Sequence, residues 1–122
     1  MAGLLLVEAA LLAQDPTASA LRQRLVARQV PLASLTGAPH HKPLLAALAG
    51  HRADPAQTWL VTTEAAWILP ATTAGLAGVV LIGQAPPPGD HGVVVASADR
   101  LDDAPRVMIP RRGGCWHDPT PG

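Results

Sequence analysis

The stretch TWLVTTEAAWILPATTAGL, residues Thr58 to Leu76, predicts a buried strand that runs into a helix. Its opening residues, Thr58 to Thr63, are apolar or β-branched, which is typical of a strand within a sheet. Glu64 follows the strand directly, and Pro70 predicts that the helix kinks or divides into two pieces. Parallel sheets bind ligands beyond the carboxyl ends of their strands, so Glu64 lies where a functional side chain is expected.

The composition indicates one folded domain and disfavours nucleic-acid binding. The chain has 122 residues, which fits a single core. Hydrophobic residues make up 48% and charged residues 15% of the chain, a balance that favours folding over disorder. Nine basic residues balance nine acidic ones, so no long-range field attracts RNA, DNA or an anionic membrane.

The apolar segment near the start of the chain is too short to span a bilayer. This segment, GLLLVEAALLA, is interrupted by Glu8 and carries no basic residues ahead of it. Cys115 is the only cysteine, so no internal disulfide can form. We therefore expect a cytoplasmic protein without membrane contact.

Strands and helices alternate along the chain from its beginning. Residues Gly3 to Val7 are continuously apolar, as in a strand buried on both faces of a parallel sheet. One helix is predicted after it, and Asp15 suits its N-cap. We expect Leu21, Leu25 and Val26 to share the buried face of that helix.

The same pattern continues through the rest of the domain. A helix is predicted over Lys42 to His51, and further strands over Val30 to Thr36, Gly78 to Gly83 and Val93 to Ser97. Alternation at this spacing implies right-handed crossovers and helices on both faces of the sheet. We predict an α/β three-layer sandwich with a doubly wound, mainly parallel five-stranded sheet in residues 1–109. A Gly/Pro-rich C-terminal tail is predicted for residues 110–122.

Polar clusters follow three of the predicted strands, at Glu8 to Ala10, Thr36 to Lys42 and Thr63 to Ile68. In that order they resemble the motifs of the haloacid dehalogenase-like (HAD) superfamily of phosphatases and related enzymes. That family has a strand ending in Asp-x-Asp, a strand ending in Ser or Thr, a Lys commonly followed by Pro, and a strand ending in acidic residues. Here LLLVEAALL, LASLTG, HHKPLLAALA and TWLVTTEAAW stand in these places, and the resemblance covers Gly3 to Ser97.

The resemblance implies a HAD-like Rossmannoid fold and assigns roles to individual residues. Glu8 stands at the position of the family's nucleophile, and Ala10 at the position of its general acid and base. Thr36 and Lys42 stand at the phosphate-facing positions, where they would donate a hydrogen bond and balance negative charge. Only Gly37 to His41 separates the second cluster from the third, which leaves no room there for a cap domain.

The family's Mg²⁺ ligands are only partly present. Glu8 and Glu64 are the carboxylates at the expected positions, while Ile68 stands where a second Asp is expected and Thr63 replaces a Gly. Magnesium requires oxygen ligands in near-octahedral geometry. The resemblance therefore implies no cofactor, with Glu8 and Glu64 holding Mg²⁺ if any metal is retained.

Two functions follow from these departures. The first is a HAD-like domain that has lost its catalytic carboxylate pair and acts as a binding, regulatory or structural protein. The alternative is a phosphatase in which Glu8 still attacks a small phosphorylated substrate. Expected partners are a small phosphorylated ligand, a protein partner or further copies of the chain. A receiver-like signalling domain would need an acidic cluster that the sequence lacks.

Other residues give weaker hypotheses. His40 and His41 could join the two carboxylates in a transition-metal site, but adjacent residues of an extended segment point in opposite directions. Trp116, in the tail segment RRGGCWHD, is predicted to dock on the domain or on another chain. The loop APPPGD, Ala85 to Asp90, is predicted to be a rigid connector.

Overall fold

A computed structural model describes residues 3–27, 30–89 and 91–104. These residues form five strands, four α-helices and three short 3-10 helices. The strands are β1 (Leu5–Glu8), β2 (Leu32–Leu35), β3 (Trp59–Thr62), β4 (Gly78–Ile82) and β5 (Val94–Ala98). The α-helices are α1 (Ala9–Gln14), α2 (Ala18–Ala27), α3 (His41–His51) and α4 (Ile68–Ala74). The 3-10 helices are Pro55–Gln57, Ala65–Trp67 and Leu101–Asp103. The predicted tail, 110–122, lies outside the described residues.

The five strands form one sheet in the order β2-β1-β3-β4-β5. All four strand pairs are parallel. This is one of the common strand orders of doubly wound α/β folds. The predicted fold class is confirmed, and the sheet is wholly parallel in the described part of the chain. Between β1 and β3 the described residues form only α1 to α3, β2, one 3-10 helix and short connections, so no cap domain is evident there.

The sheet separates two hydrophobic layers. Leu5 and Val7 point to the side covered by α1, α2 and the last 3-10 helix, while Leu4 and Leu6 point to the side covered by α3 and α4. All four side chains are fully buried. This explains the continuously apolar sequence of β1, because a strand covered on both faces has no polar side.

Trp59 and Gly78 are paired across β3 and β4, and the pairing depends on glycine. Trp59 is fully buried in the layer formed by α1 and α2. A Cβ atom at Gly78 would lie 2.3 Å from the nearest carbon of the indole ring. The ring therefore occupies the space that any other side chain at position 78 would need.

The segment between β1 and β2 corrects the prediction of a single helix. It forms both α1 and α2, because Asp15, Pro16 and Thr17 make a turn that divides them. Asp15 Oδ1 accepts hydrogen bonds from the backbone N–H of Thr17 at 2.8 Å and from its hydroxyl at 2.6 Å. Val26 was expected in the core but is 76% exposed, because only one narrow side of α2 faces the sheet.

The same turn anchors the last 3-10 helix. Asp15 Oδ2 accepts from the backbone N–H of Leu101 at 3.1 Å, and the Thr17 hydroxyl oxygen accepts from the N–H of Asp102 at 3.2 Å. Burial raises the pKa of Asp15, but the hydrogen bonds from Thr17 and Leu101 and the charge of Arg100 outweigh it and hold the pKa below its ordinary value. Asp15 therefore favours its charged form in the folded chain.

The opening stretch forms two helical pieces, as expected, but Pro70 does not separate them. The division lies at Trp67, where the 3-10 helix ends and α4 begins, rather than at the proline. Pro70 lies in the first turn of α4, where its missing N–H has no helical partner to lose. Gly75 ends α4 with a positive φ of 77°, and its N–H bonds back to Thr72.

Candidate functional site

The carboxyl ends of β1, β2 and β3 bring several predicted site residues to one edge of the sheet. Glu8 is the last residue of β1 and is in register with Leu35, so Thr36 follows at the same edge. Thr63 and Glu64 follow β3, the other neighbour of β1. Lys42 lies in the first turn of α3, the helix that follows β2. We call this set of strand ends the carboxyl edge.

Glu8 is held by hydrogen bonds from the end of β3. Its Oε1 accepts from the Thr62 hydroxyl and, at 3.1 Å, from the backbone N–H of Thr63. Both donors are more than fifty residues away in sequence, so the carboxylate joins β1 to β3 directly. Its other oxygen has no hydrogen-bond partner among the described residues.

Thr62 is the centre of this network. It is fully buried, and its hydroxyl oxygen also accepts from the backbone N–H of Glu64 at 3.0 Å. Gln84, just beyond β4, donates from Nε2 to the carbonyl oxygen of Thr63. The ends of β1, β3 and β4 are therefore tied together by side chains.

Neither Thr62 nor Gln84 was a predicted site residue. A threonine at the end of a buried strand was the available signal for Thr62, since its hydroxyl must find a partner there. Gln84 carried no such signal in the sequence.

Ala10 is exposed on a helix, whereas Glu8 is half-buried at the end of a strand. Helix α1 begins at Ala9, directly after β1, so Ala10 lies in the first turn of α1 and is exposed. The position two residues after Glu8 thus presents a methyl group to solvent. A methyl group cannot donate or accept a proton.

Thr36 and Lys42 lie near the carboxyl edge without joining the Glu8 network. Both are exposed. The backbone N–H of Lys42 donates to His40 Nδ1 at 3.1 Å, which caps α3. Within the described ranges, no hydrogen bond or ion pair connects either side chain to Glu8 or Glu64.

The carboxylates at this edge make a poor donor set for Mg²⁺. Glu8 Oε1 is already shared by two donors, Glu64 is exposed, and Ile68 places a buried aliphatic side chain at the third expected position. No group of three or more His, Cys, Asp or Glu that could hold a metal ion occurs among residues 3–27, 30–89 and 91–104.

The two adjacent histidines do not diverge, contrary to the prediction. His40 is extended and caps α3, whereas His41 is its first helical residue, so the backbone turns between them. Their rings stack with centroids 4.3 Å apart and an angle of 28° between their planes. His40 is exposed and His41 is half-buried.

Two surface hollows flank Leu69 on α4. The histidine hollow, of about 320 Å³, is lined by Pro39, His40, His41, Ala66, Leu69, Pro70 and Thr73. The loop hollow, of about 350 Å³, is lined by Ala65, Ala66, Ile68, Leu69, Pro87 and His91. Glu8, Thr36, Lys42 and Glu64 line neither hollow.

Comparisons of the chain with protein-family models, with curated proteins and with solved structures give no match. Among the described residues, no helix combines the length and the apolar character needed to cross a membrane.

Proposed function

We propose that this chain is a HAD-like domain that has lost phosphoryl transfer and acts as a binding, regulatory or structural protein. The observation that carries the proposal is the Glu8 network. The carboxylate that stands at the nucleophile position is hydrogen-bonded to Thr62 and Thr63 and links β1 to β3. This structural role accounts for an acidic residue at the end of β1 in a domain without phosphoryl transfer.

The chemistry expected at Glu8 is unfavourable for catalysis. Glutamate carries one more methylene than aspartate, which moves the carboxylate oxygens by roughly 1–1.5 Å, and a misplacement of about 1 Å can cost on the order of a hundredfold in rate. Two hydrogen bonds also tie Oε1 to the end of β3. Ala10 offers no general acid, and such a loss costs roughly a further 10²–10⁴-fold.

Thr36 and Lys42 are the polar groups left for a small anionic ligand. Their exposure keeps them accessible at the carboxyl edge. A phosphorylated ligand would meet Lys42 favourably but would be repelled by Glu8 and Glu64 unless a cation came with it. Weak binding of phosphorylated compounds is therefore expected to require Mg²⁺.

The test is hydrolysis of p-nitrophenyl phosphate in the presence of Mg²⁺. We expect no turnover above buffer for the unaltered chain. The Glu8→Gln variant is the matched control, because it keeps the size of the side chain and one acceptor oxygen for Thr62. Hydrolysis by the unaltered chain that disappears in Glu8→Gln would overturn the proposal and establish the phosphatase alternative.

A second variant asks whether the scaffold itself remains competent. Glu8→Asp combined with Ala10→Asp restores the family's catalytic pair. Turnover in this double variant alone would support a scaffold whose catalytic groups were replaced.

A further inference from the structure

Strand β5 lies at one end of the sheet and has an open outer side. It pairs with β4, and no other strand formed by residues 3–27, 30–89 and 91–104 pairs with it. The carbonyl oxygen of Ala98 accepts from the backbone N–H of Gly83 at 2.8 Å, so it points towards β4. Backbone groups alternate in direction along a strand, so those of Val95 and Ser97 point outwards. We call the outward backbone groups of these two residues the β5 edge.

The side chains of β5 are incompletely covered on both faces of the sheet. Val93 and Val95 pack against the layer of α3 and α4, and Ala98 packs against the layer of α1 and α2, but all three are only partly buried. Val94 is 37% exposed. In β4, the neighbouring strand, every residue is buried. A helix could cover one of these faces, whereas a further strand would extend both layers and also pair with the β5 edge.

The β5 edge lacks the features that keep end strands from pairing. Charged residues, prolines, bulges and short strands are the usual protection of such edges. The segment from Val93 to Ala98 contains no charged residue and no proline, and β5 keeps an unbroken register of five residues with β4. The strand at the other end, β2, is one residue shorter and directly follows Pro31. The β5 edge is therefore the end of the sheet that is better suited to pairing.

Two copies of the β5 edge are complementary in their hydrogen bonding. A twofold axis that is perpendicular to the sheet and passes beside Ala96 makes the two strands antiparallel and sets Val95 of one copy opposite Ser97 of the other. Both residues direct their N–H and C=O groups outwards, so each of the two pairs can exchange two hydrogen bonds. The same axis keeps equivalent helical layers of the two copies on the same side of the sheet. The half-exposed valines of each copy then extend the apolar layers of the other.

We propose that β5 of a second copy of this chain pairs antiparallel with the β5 edge and joins two five-stranded sheets into one. The occupant must be a strand that is apolar on both faces and has free backbone groups at this spacing, and every further copy of the chain supplies one. The contact uses neither Glu8 nor Lys42, so the inference goes beyond the proposed function and does not depend on it. Turnover of p-nitrophenyl phosphate bears only on the proposed function.

The first test is sedimentation velocity of the full chain at concentrations up to about 0.1 mM, which detects dimers with dissociation constants in the micromolar range. We expect a concentration-dependent dimer. Ser97→Pro removes an outward N–H and no bond to β4, and it should raise the dissociation constant at least about tenfold. Ser97→Lys keeps the N–H but places a charge beside the contact, and it should weaken the dimer as well.

Ser34→Pro is the matched control at the other end of the sheet. The carbonyl oxygen of Pro31 accepts from the backbone N–H of Leu5 at 3.0 Å, so the alternation along β2 turns the N–H of Ser34 outwards. The same chemical change is thus made at an exposed serine of the opposite end strand. We expect it to leave the dimer unchanged. Circular dichroism melting of each variant verifies that the fold persists.

Amide hydrogen exchange distinguishes a second copy from another segment of the same chain. We expect the N–H groups of Val95 and Ser97 to exchange more slowly as the protein concentration rises, and that of Ser34 to exchange at a constant rate. A monomer at every concentration would overturn the inference, and protected Val95 and Ser97 amides in that monomer would assign the edge to another segment of the chain. A dimer that neither Ser97 variant weakens, or that Ser34→Pro weakens equally, would also overturn it.

Discussion

Two carboxylates in this domain accept hydrogen bonds from distant segments, yet they do so to different degrees. Asp15 uses both of its oxygens, one for Thr17 and one for the backbone of Leu101. Glu8 uses one oxygen for Thr62 and Thr63. Both oxygens of Asp15 therefore hold the fold, whereas the second oxygen of Glu8 has no hydrogen-bond partner in the part of the chain that the structure describes.

The largest effect is expected at Asp15. Asp15→Ala removes three hydrogen bonds to a charged acceptor and leaves the last 3-10 helix joined to the turn before α2 by the bond from the Asp102 N–H to the Thr17 hydroxyl. Hydrogen bonds to charged groups contribute about 1.5–3 kcal/mol each when cut singly, and because these three act together we expect a loss of about 3 kcal/mol in the free energy of unfolding. Urea denaturation measures it, and a loss below about 1 kcal/mol would show that the anchor matters little.

A somewhat smaller effect is expected at Glu8. Glu8→Ala leaves the hydroxyl of Thr62, which is fully buried, without its acceptor. An unsatisfied buried hydroxyl costs about 1–3 kcal/mol, so we expect a loss near 2 kcal/mol in the same urea measurement. An unchanged midpoint would contradict a structural role for Glu8 and, with it, the observation on which the proposed function rests.

Thr62→Val tests whether the two residues act as a pair. Valine matches threonine in shape and removes the hydroxyl, so the double variant with Glu8→Ala leaves no buried hydroxyl without an acceptor. The backbone N–H of Glu64 loses its acceptor in Thr62→Val and in the double variant alike. We expect the double variant to be more stable than the sum of the single losses predicts, by about 1 kcal/mol. Additive losses would mean that the hydrogen bond contributes no coupling energy.

The smallest expected effect is on the stability of the chain at acidic pH. The pKa of Asp15 in the folded chain lies below its ordinary value of 3.8 because the hydrogen bonds from Thr17 and Leu101 outweigh burial. The stability that this carboxylate contributes is therefore fully present above about pH 4 and is lost as the pH falls through the folded-state pKa. The stability difference between the unaltered chain and Asp15→Asn should be largest at neutral pH and shrink below about pH 4. A difference that grows in acid would contradict the direction of the pKa shift.

The fold followed from the sequence more closely than the site did. Apolar runs as continuous as Gly3 to Val7 occur mainly in strands covered on both faces, so the parallel sheet and its two helical layers were predictable. The turn at Asp15 was read as a helix start, and the short helix before it was missed because six residues carry little periodic signal. The burial of Val26 was overestimated, since periodicity alone does not give the width of the face that α2 buries.

The site was predictable in position but not in its contacts. Parallel strands end at one edge, so Glu8, Thr36 and Glu64 could be brought there from the sequence alone. The bond from Thr62 to Glu8 depends on two adjacent strands and on side-chain conformation, neither of which a single sequence displays. The HAD family assignment, with the roles it gives to Glu8, Thr36 and Lys42, remains a proposal for the enzymatic tests to decide.

The two buried tryptophans give each helical layer its own optical reporter. Trp59 belongs to the layer of α1 and α2 and Trp67 to the layer of α3 and α4, and both indoles are shielded from water. Variants that keep one of them, with Trp116 also replaced, would show by the red shift of fluorescence emission whether both sides of the sheet melt in a single transition. Single domains of this length usually unfold in one transition, so we expect both reporters to change together.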